Sequence, residues 1–161
     1  GRLYMNQSGE MRILVADQGG REVLVTRSEV QEYDPAAELV ERYSLSKHKN
    51  RMEPYARLGF TDTGKDLRND FLVTLLGEEM IGHERTLVLE LTPKSDRERQ
   101  IVGTVKLWIN EASWMPMRQI IEHVADRETL TIEYSGMARN LNLNPDIFKA
   151  KWPRGTKRVS R

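Results

Sequence analysis

Residues 105–109 read Val-Lys-Leu-Trp-Ile, and this stretch decides the fold class. Its period of two places Val105, Leu107 and Ile109 on one side of an extended strand. Similar alternation recurs on both sides of the stretch, at 3–5, 11–15, 23–25, 30–32, 87–91, 120–124 and 130–134. Short alternating strands that follow one another without long helices indicate a mainly β fold with antiparallel neighbours.

Helical patterns are few and short. Residues 50–58 place Tyr55 and Leu58 three apart, residues 64–70 supply one or two turns, and residues 144–148 begin with a capping Asn before Pro. We therefore expect one strongly curved antiparallel sheet. The helices at 50–58 and 64–70 are expected on the concave side of this sheet.

Length and composition bound the protein class. The 161 residues suit one domain, and the formal net charge is +1. Cysteine is absent, which excludes disulfides, thiol nucleophiles and Cys-ligated metals. The longest apolar runs, such as residues 13–16, are far shorter than the roughly 20 residues of a transmembrane helix.

The sequence lacks the patterns of common catalytic and cofactor sites. None of the three histidines has a second histidine three or four residues away, as helical metal motifs require. The glycine-containing stretch 59–64 lacks the Lys-Ser/Thr of a phosphate loop, and no serine lies in a nucleophile elbow. We expect no enzyme activity, no metal and no cofactor.

Basic residues are concentrated at the end of the chain. Residues 149–161 contain six basic residues and no acid, whereas residues 1–148 carry a net charge of −5. Such a segment is either a solvated terminus or a contact for anionic lipid or nucleic acid. Because no RNA-binding aromatic motif or recognition helix accompanies it, we expect no nucleic-acid partner.

Some stretches are apolar on both faces of a strand, namely 71–76, 107–109 and 114–117. A sheet with one solvated face does not need this, so either helices or an apolar ligand should cover the second face. Methionines near these segments suit an adaptable apolar lining, although core packing explains them equally well.

The order of motifs resembles the LolA-type outer-membrane lipoprotein carriers. The first half matches at 1–5, 11–15, 23–26 and 30–35, and the second at 87–94, 105–110, 114–119 and 129–135. The ending is the most diagnostic part, with residues 140–148 followed by Trp152-Pro153-Arg154-Gly155. The resemblance covers essentially the whole chain, as one domain over 1–161.

The resemblance implies an unclosed antiparallel half-barrel whose helices cover the concave face. It also implies a periplasmic carrier, with a signal peptide upstream, that shuttles lipoproteins toward the outer membrane. Its implied partners are lipoprotein acyl chains or other lipid, an inner-membrane donor protein and an outer-membrane acceptor protein, and a monomer is expected. The alternative is a lipid- or peptide-binding sensor module of the same fold in envelope signalling. The family also has a helix and a strand ahead of residues 1–5, and both are missing from this sequence.

The site residues follow from the alternation and from the resemblance together. We expect an apolar cavity with a lid, formed by Leu3, Met5, Met11, Ile13, Val15, Tyr55, Leu58, Phe60, Leu107 and Ile109. The lid segments are 50–58 and 60–70, with Gly59 and Gly64 as hinges. Gln7 stands where relatives use an Arg to latch the lid, so a looser closed state is expected.

Overall fold

A computed structural model describes residues 1–16, 19–47, 53–60 and 64–161. It contains two unclosed β-sheets and a few short helices, which confirms the mainly β fold class. The chain separates into two units, each built around its own sheet. The first unit comprises Gly1–Arg51 and Asn140–Arg161, and the second comprises Met52–Arg139.

The first sheet has six strands in the order β1-β2-β3-β4-β5-β11. Strands β1 to β5 pair with antiparallel neighbours, whereas β11 adds to the edge of β5 in parallel. The strands are β1 (Arg2–Met5), β2 (Met11–Leu14), β3 (Glu22–Val25), β4 (Glu29–Asp34), β5 (Leu39–Ser44) and β11 (Lys157–Ser160). A 3₁₀ helix at Pro145–Phe148 belongs to this unit, and Asn144 caps it as expected, because its Oδ1 accepts a hydrogen bond from the Asp146 N–H at 2.9 Å.

The second sheet has five antiparallel strands in the order β10-β9-β8-β7-β6. They are β6 (Phe71–Ile81), β7 (Glu84–Pro93), β8 (Val102–Asn110), β9 (Pro116–His123) and β10 (Thr129–Glu133). The helices of this unit are a 3₁₀ helix at Glu53–Arg57, α1 (Gly64–Asp70) and α2 (Asp96–Arg99).

The expectation of one continuous sheet is wrong. The free side of β5 pairs with β11, so the hydrogen-bond ladder does not continue from β5 to β6. The helix expected at 64–70 is confirmed as α1. Of the helix expected at 50–58, residues 50–52 lie outside the described residues, and the described part is a 3₁₀ helix at Glu53–Arg57 that ends before Gly59, which has a φ of 83°. One domain over 1–161 stays a prediction.

Each sheet carries an apolar cluster on one face, and each also buries side chains on its other face, such as Leu24 in the first sheet and Trp108 in the second. In the first sheet Met11, Val25 and Val30 form the buried cluster. In the second, the cluster is larger and includes residues from β6 to β9 together with Leu58 and Leu67. These two faces contain the site residues that the alternation predicts.

Strand β6 forms one edge of the second sheet and remains largely exposed. Leu72 and Leu75 are 62% and 61% exposed, and Leu76 and Met80 are also exposed. The stretch 71–76 is therefore apolar on both faces, and the described helices do not cover both of them. A bulge between Leu75 and Gly77, where Gly77 has a φ of 144°, interrupts its register with β7.

Candidate functional site

The central strands of the second sheet form a continuous apolar face. Cross-strand neighbours on β7, β8 and β9 place Leu91, Val105 and Ile121 in one row and Leu89 and Leu107 in the next. Val105, Leu107 and Ile121 have no solvent-accessible surface. Their period-two spacing puts each set of side chains on the same side of its strand, so apolar surface accumulates on this face.

A short segment covers this apolar face. We call residues 53–60 the cover segment; it contains the 3₁₀ helix Glu53–Arg57 and the turn that follows. Leu58 is buried in the same apolar cluster as Leu107 and Ile109, and Tyr55 packs against that cluster. Helix α1 contributes Leu67 to the cluster. The face is thus closed by side chains of the protein's own chain.

Gln119 is a fully buried polar residue within this apolar face. It lies on β9 opposite Leu107 of β8, where the surrounding pattern calls for an apolar side chain. Its Nε2 donates a hydrogen bond to the Leu58 carbonyl oxygen at 2.5 Å. A buried amide is stable only when its polar atoms have partners, so Gln119 and the cover segment satisfy each other.

Tyr134 completes the attachment of the cover segment. Its hydroxyl donates to Gln119 Oε1 at 3.0 Å and lies 3.3 Å from the Ala56 carbonyl oxygen. Its ring meets Phe60 edge-to-face, with 4.9 Å between the ring centroids. Burial raises the pKa of the Tyr134 hydroxyl well above its usual range, so this group stays a hydrogen-bond donor at physiological pH.

Gly59 lets the cover segment approach the sheet. Its φ of 83° favours glycine, and an added Cβ would lie 3.3 Å from Ile109 Cδ1 and 3.5 Å from Leu107 Cδ1. The segment therefore turns at this position while its backbone stays close to the apolar face.

Replacing Gly59 with alanine is expected to lower the free energy of unfolding by about 1–2 kcal/mol, because the left-handed backbone is unfavourable for alanine. Gly64→Ala is the matched control, since Gly64 starts α1 and its added Cβ meets nothing within 4 Å. Denaturant unfolding should show the control unchanged or slightly stabilised. Equal effects of the two substitutions would contradict a close approach at Gly59.

Five of the ten expected cavity residues come together in the second unit. Leu58, Leu107 and Ile109 share one cluster, Tyr55 packs against it, and Phe60 contacts Tyr134. Residues 61–63 of the second expected lid segment lie outside the described residues. The role of these side chains in ligand binding stays a prediction.

The other five expected cavity residues lie in the first unit. The register places Leu3, Met5, Met11 and Ile13 on one face of the first sheet, and Met11 is fully buried there. Val15 follows β2, and its N–H donates to the Arg21 carbonyl oxygen. Gln7 is exposed in the turn between β1 and β2 and has no hydrogen-bond partner among the described residues. Its role as a latch stays a prediction.

The sequence pattern missed Gln119 and Tyr134. The alternation marks Ile120, Glu122 and Val124 as one face of a strand, but β9 buries the opposite set, Gln119 and Ile121, and Val124 is exposed. Gln119 lies on the same side of the strand as Met117 and Ile121. This glutamine was the sign of a site in the sequence, because a polar side chain on a buried face needs a specific partner.

The first unit contains an open groove of about 350 Å³. It is lined by Tyr4, Arg12, Leu14, Asn144, Asp146, Ile147 and Lys151. At its rim Asp146 forms ion pairs with Lys149 at 2.7 Å and Lys151 at 2.5 Å. Hydrogen bonds from Lys149 and then Lys151 lower the pKa of Asp146 to about 2, so this carboxyl group stays ionised at neutral pH.

The described residues hold no group of three or more His, Cys, Asp or Glu side chains placed to bind a metal ion. None of the helices in the described part of the chain is long and apolar enough to cross a membrane.

The fold and this face define a mainly β protein with a covered apolar surface on its second sheet. Residues 12–151 match the model of a family described as "-like: Uncharacterized protein". The match spans most of the chain, so the protein belongs to this family. A curated relative, uncharacterized protein MJ0687 of Methanocaldococcus jannaschii, is 29% identical over 96 residues, or 60% of this chain. The matched segment spans about a quarter of that relative, 26% of its length.

The chain is similar to several solved structures. An uncharacterized conserved protein from Thermus thermophilus has a TM-score of 0.56 at 15% identity, covering 96% of this chain and 77% of its own. A domain described as an outer membrane lipoprotein-sorting protein, from Vibrio parahaemolyticus, has a TM-score of 0.44 at 16% identity, with coverages of 86% and 68%. The LolA superfamily protein NE2245 from Nitrosomonas europaea has a TM-score of 0.41 at 20% identity, with coverages of 86% and 62%. At 15% identity, the likeness to the Thermus thermophilus protein indicates the fold alone.

Proposed function

We propose that this protein binds acyl chains on the apolar face of the second sheet and acts as a lipoprotein carrier of the LolA type. The observation that carries the proposal is the cover segment, an eight-residue piece of chain that closes a large apolar face. Gln119 and Tyr134 attach it there through the carbonyl oxygens of Leu58 and Ala56. Such a cover is suited to open and close.

Release of a lipid requires a cover of this kind. Burying one methylene group gains roughly 0.8 kcal/mol, so a long acyl chain enclosed on all sides would leave very slowly. If the cover segment competes with the acyl chain for Leu107 and Ile109, ligand-free protein closes on itself and the net affinity falls. The same competition keeps the apolar face away from water when no ligand is bound.

The carrier role places the protein in the periplasm, between an inner-membrane donor and an outer-membrane acceptor of lipoproteins. The function is binding and transfer, without catalysis. The proposed ligand site comprises Tyr55, Leu58, Phe60, Leu107 and Ile109 of the second unit. A cavity role for Leu3, Met5, Met11, Ile13 and Val15 is a separate proposal that concerns the first unit alone. The sequence resemblance and the covered face support this assignment.

Tyr134→Phe is expected to strengthen the binding of a fluorescent fatty acid about fivefold. The substitution keeps the ring against Phe60 and removes the hydroxyl that holds Gln119 and the cover segment. The closed form then loses about 1 kcal/mol of stability relative to the open form, to which the fatty acid binds. Tyr4→Phe is the matched control, since the Tyr4 hydroxyl accepts a hydrogen bond from Arg2 in the first unit.

Hydrogen exchange provides the second measurement. Residues 53–60 should exchange faster in Tyr134→Phe than in the wild type, while β8 and β9 keep their protection. Failure of the wild type to bind the fatty acid would refute the proposed function. Unchanged affinity in Tyr134→Phe would refute the role of the cover segment.

A further inference from the structure

The basic end of the chain is an ordered part of the first sheet. Residues 149–161 carry six basic residues and no acid. Strand β11 pairs with β5, the Lys157 N–H donates to the Glu38 carbonyl oxygen at 2.8 Å, and the Arg161 N–H donates to the Arg42 carbonyl oxygen at 2.9 Å. The segment is therefore held in place by backbone hydrogen bonds rather than being a solvated tail.

Trp152 fixes the start of the same segment. Its ring stacks on Tyr33, with 5.2 Å between centroids, and its Nε1 donates to the Oε1 of the buried Gln31 at 2.7 Å. The Arg12 guanidinium lies over the ring at 5.2 Å. Both ends of the stretch 152–161 are thus attached to the first sheet, and the side chains between them have a defined location.

Three of the six basic side chains have no acidic partner in the part of the chain that the structure describes. Lys149 and Lys151 pair with Asp146, and Arg161 pairs with Glu41. The remaining three are exposed and form no ion pair within the described residues; we call Arg154, Lys157 and Arg158 the basic edge. Their charge is not neutralised locally.

The two units also differ in charge. The first unit has 14 basic and 9 acidic residues, a net charge of +5, whereas the second has 11 and 15, a net charge of −4. The excess positive charge of the first unit comes from residues 149–161.

We propose that the basic edge docks the protein on the surface of an anionic phospholipid bilayer. Lys and Arg side chains close to such a surface are attracted to its lipid phosphates, each strengthening binding by roughly fivefold. The inference goes beyond the acyl-chain site, because it concerns a different unit and the bilayer surface rather than a single lipid chain.

The geometry favours a bilayer over nucleic acid. Trp152 is the aromatic residue of the segment, and its ring is already stacked on Tyr33 and bonded to Gln31, so it is not free to stack on a base. Among the described residues of the first unit the helical element is the four-residue Pro145–Phe148, too short to read a major groove. Exposed cations along a sheet edge suit an extended anionic surface.

Vesicle co-sedimentation tests the proposal. The full chain should bind vesicles that contain phosphatidylglycerol and should not bind vesicles of pure phosphatidylcholine. The triple variant Arg154→Glu, Lys157→Glu, Arg158→Glu should bind the anionic vesicles at least about 100-fold more weakly. Its matched control, Lys65→Glu, Arg97→Glu, Arg127→Glu, makes the same charge change at exposed positions of the second unit and should lose less than about threefold.

A salt titration of the wild type supplies a test that needs no variant. Docking should weaken steeply as ionic strength rises, because exposed charges are screened over about 8 Å at physiological salt. Equal binding to both vesicle types, equal losses in the two triple variants, insensitivity to salt or tighter binding to an oligonucleotide than to anionic vesicles would each overturn the proposal. The basic-edge variant should still bind the fluorescent fatty acid as the wild type does, so the two proposals fail separately.

Discussion

Replacing Gln119 with leucine is expected to lower the free energy of unfolding by about 2–3 kcal/mol, although leucine has a similar size and is more apolar. The substitution removes the donor to the Leu58 carbonyl oxygen and the acceptor for the Tyr134 hydroxyl. Both groups then lie against an apolar face without this partner, and each unsatisfied buried group costs about 1–3 kcal/mol. Denaturant unfolding measures the loss.

Gln7→Leu is the matched control for Gln119→Leu. Gln7 is exposed in a turn, so its replacement should change stability by less than about 0.5 kcal/mol. A change in fatty-acid binding by Gln7→Leu without a change in stability would support the latch role that the resemblance implies for this position.

The double variant Gln119→Leu, Tyr134→Phe tests whether the two residues act together. Gln119→Leu leaves the Tyr134 hydroxyl without its amide partner, and Tyr134→Phe removes that hydroxyl. The double variant should therefore lose less free energy of unfolding than the sum of the two single variants. Additive losses would contradict a shared role in attaching the cover segment.

Trp152→Ala is expected to have the largest effect on stability, a loss of about 3–5 kcal/mol. The substitution removes the ring that stacks on Tyr33 and packs beneath Arg12, and it leaves the buried Gln31 without its indole partner. The loss should be local to the first unit. Hydrogen exchange should show reduced protection in β4, β5 and β11 before any change in the second sheet.

Trp152→Phe separates stacking from hydrogen bonding. Phenylalanine keeps an aromatic ring for Tyr33 but cannot donate to Gln31, so the expected loss is about 1–1.5 kcal/mol. A loss in the free energy of unfolding below about 1 kcal/mol for Trp152→Ala would contradict the attachment of residues 149–161 to the first sheet through Trp152.

Local patterning was enough to predict the strands of the second sheet. Val105, Leu107 and Ile109 are buried on one face, as their spacing indicates. The prediction works here because one side of each central strand packs in the apolar cluster, and a shift by one residue would expose that whole side. Helix α1 was also predictable, and the described part of the helix expected at 50–58 is the 3₁₀ helix Glu53–Arg57.

Strand β11 was not predictable from residues 157–160 alone. The sequence Lys-Arg-Val-Ser has one apolar side chain, and its extended form depends on the free edge of β5, more than a hundred residues earlier in the chain. Pairing with a distant strand overrides the weak local preference. The same contact divides the strands between two sheets, which local alternation could not indicate.

The candidate site shows the same division between local and distant information. Leu107 and Ile109 follow from periodicity, but the attachment of the cover segment depends on Gln119, 61 residues from its partner Leu58. Both alternating sets in 116–123 contain apolar and polar residues, so the alternation at 120–124 does not indicate which set is buried. Only the neighbouring strands determine which set is buried.

The parallel pairing of β5 with β11 also constrains how the chain folds during synthesis. The second unit is continuous in sequence and its strands pair with their neighbours, so it can form early, whereas contact between distant segments is slow. Strand β5 ends at Ser44 and β11 begins at Lys157. At a translation rate of ~5–20 residues per second, the edge of β5 waits roughly 6–23 seconds for its partner, and during that interval a chaperone or another nascent chain can reach it.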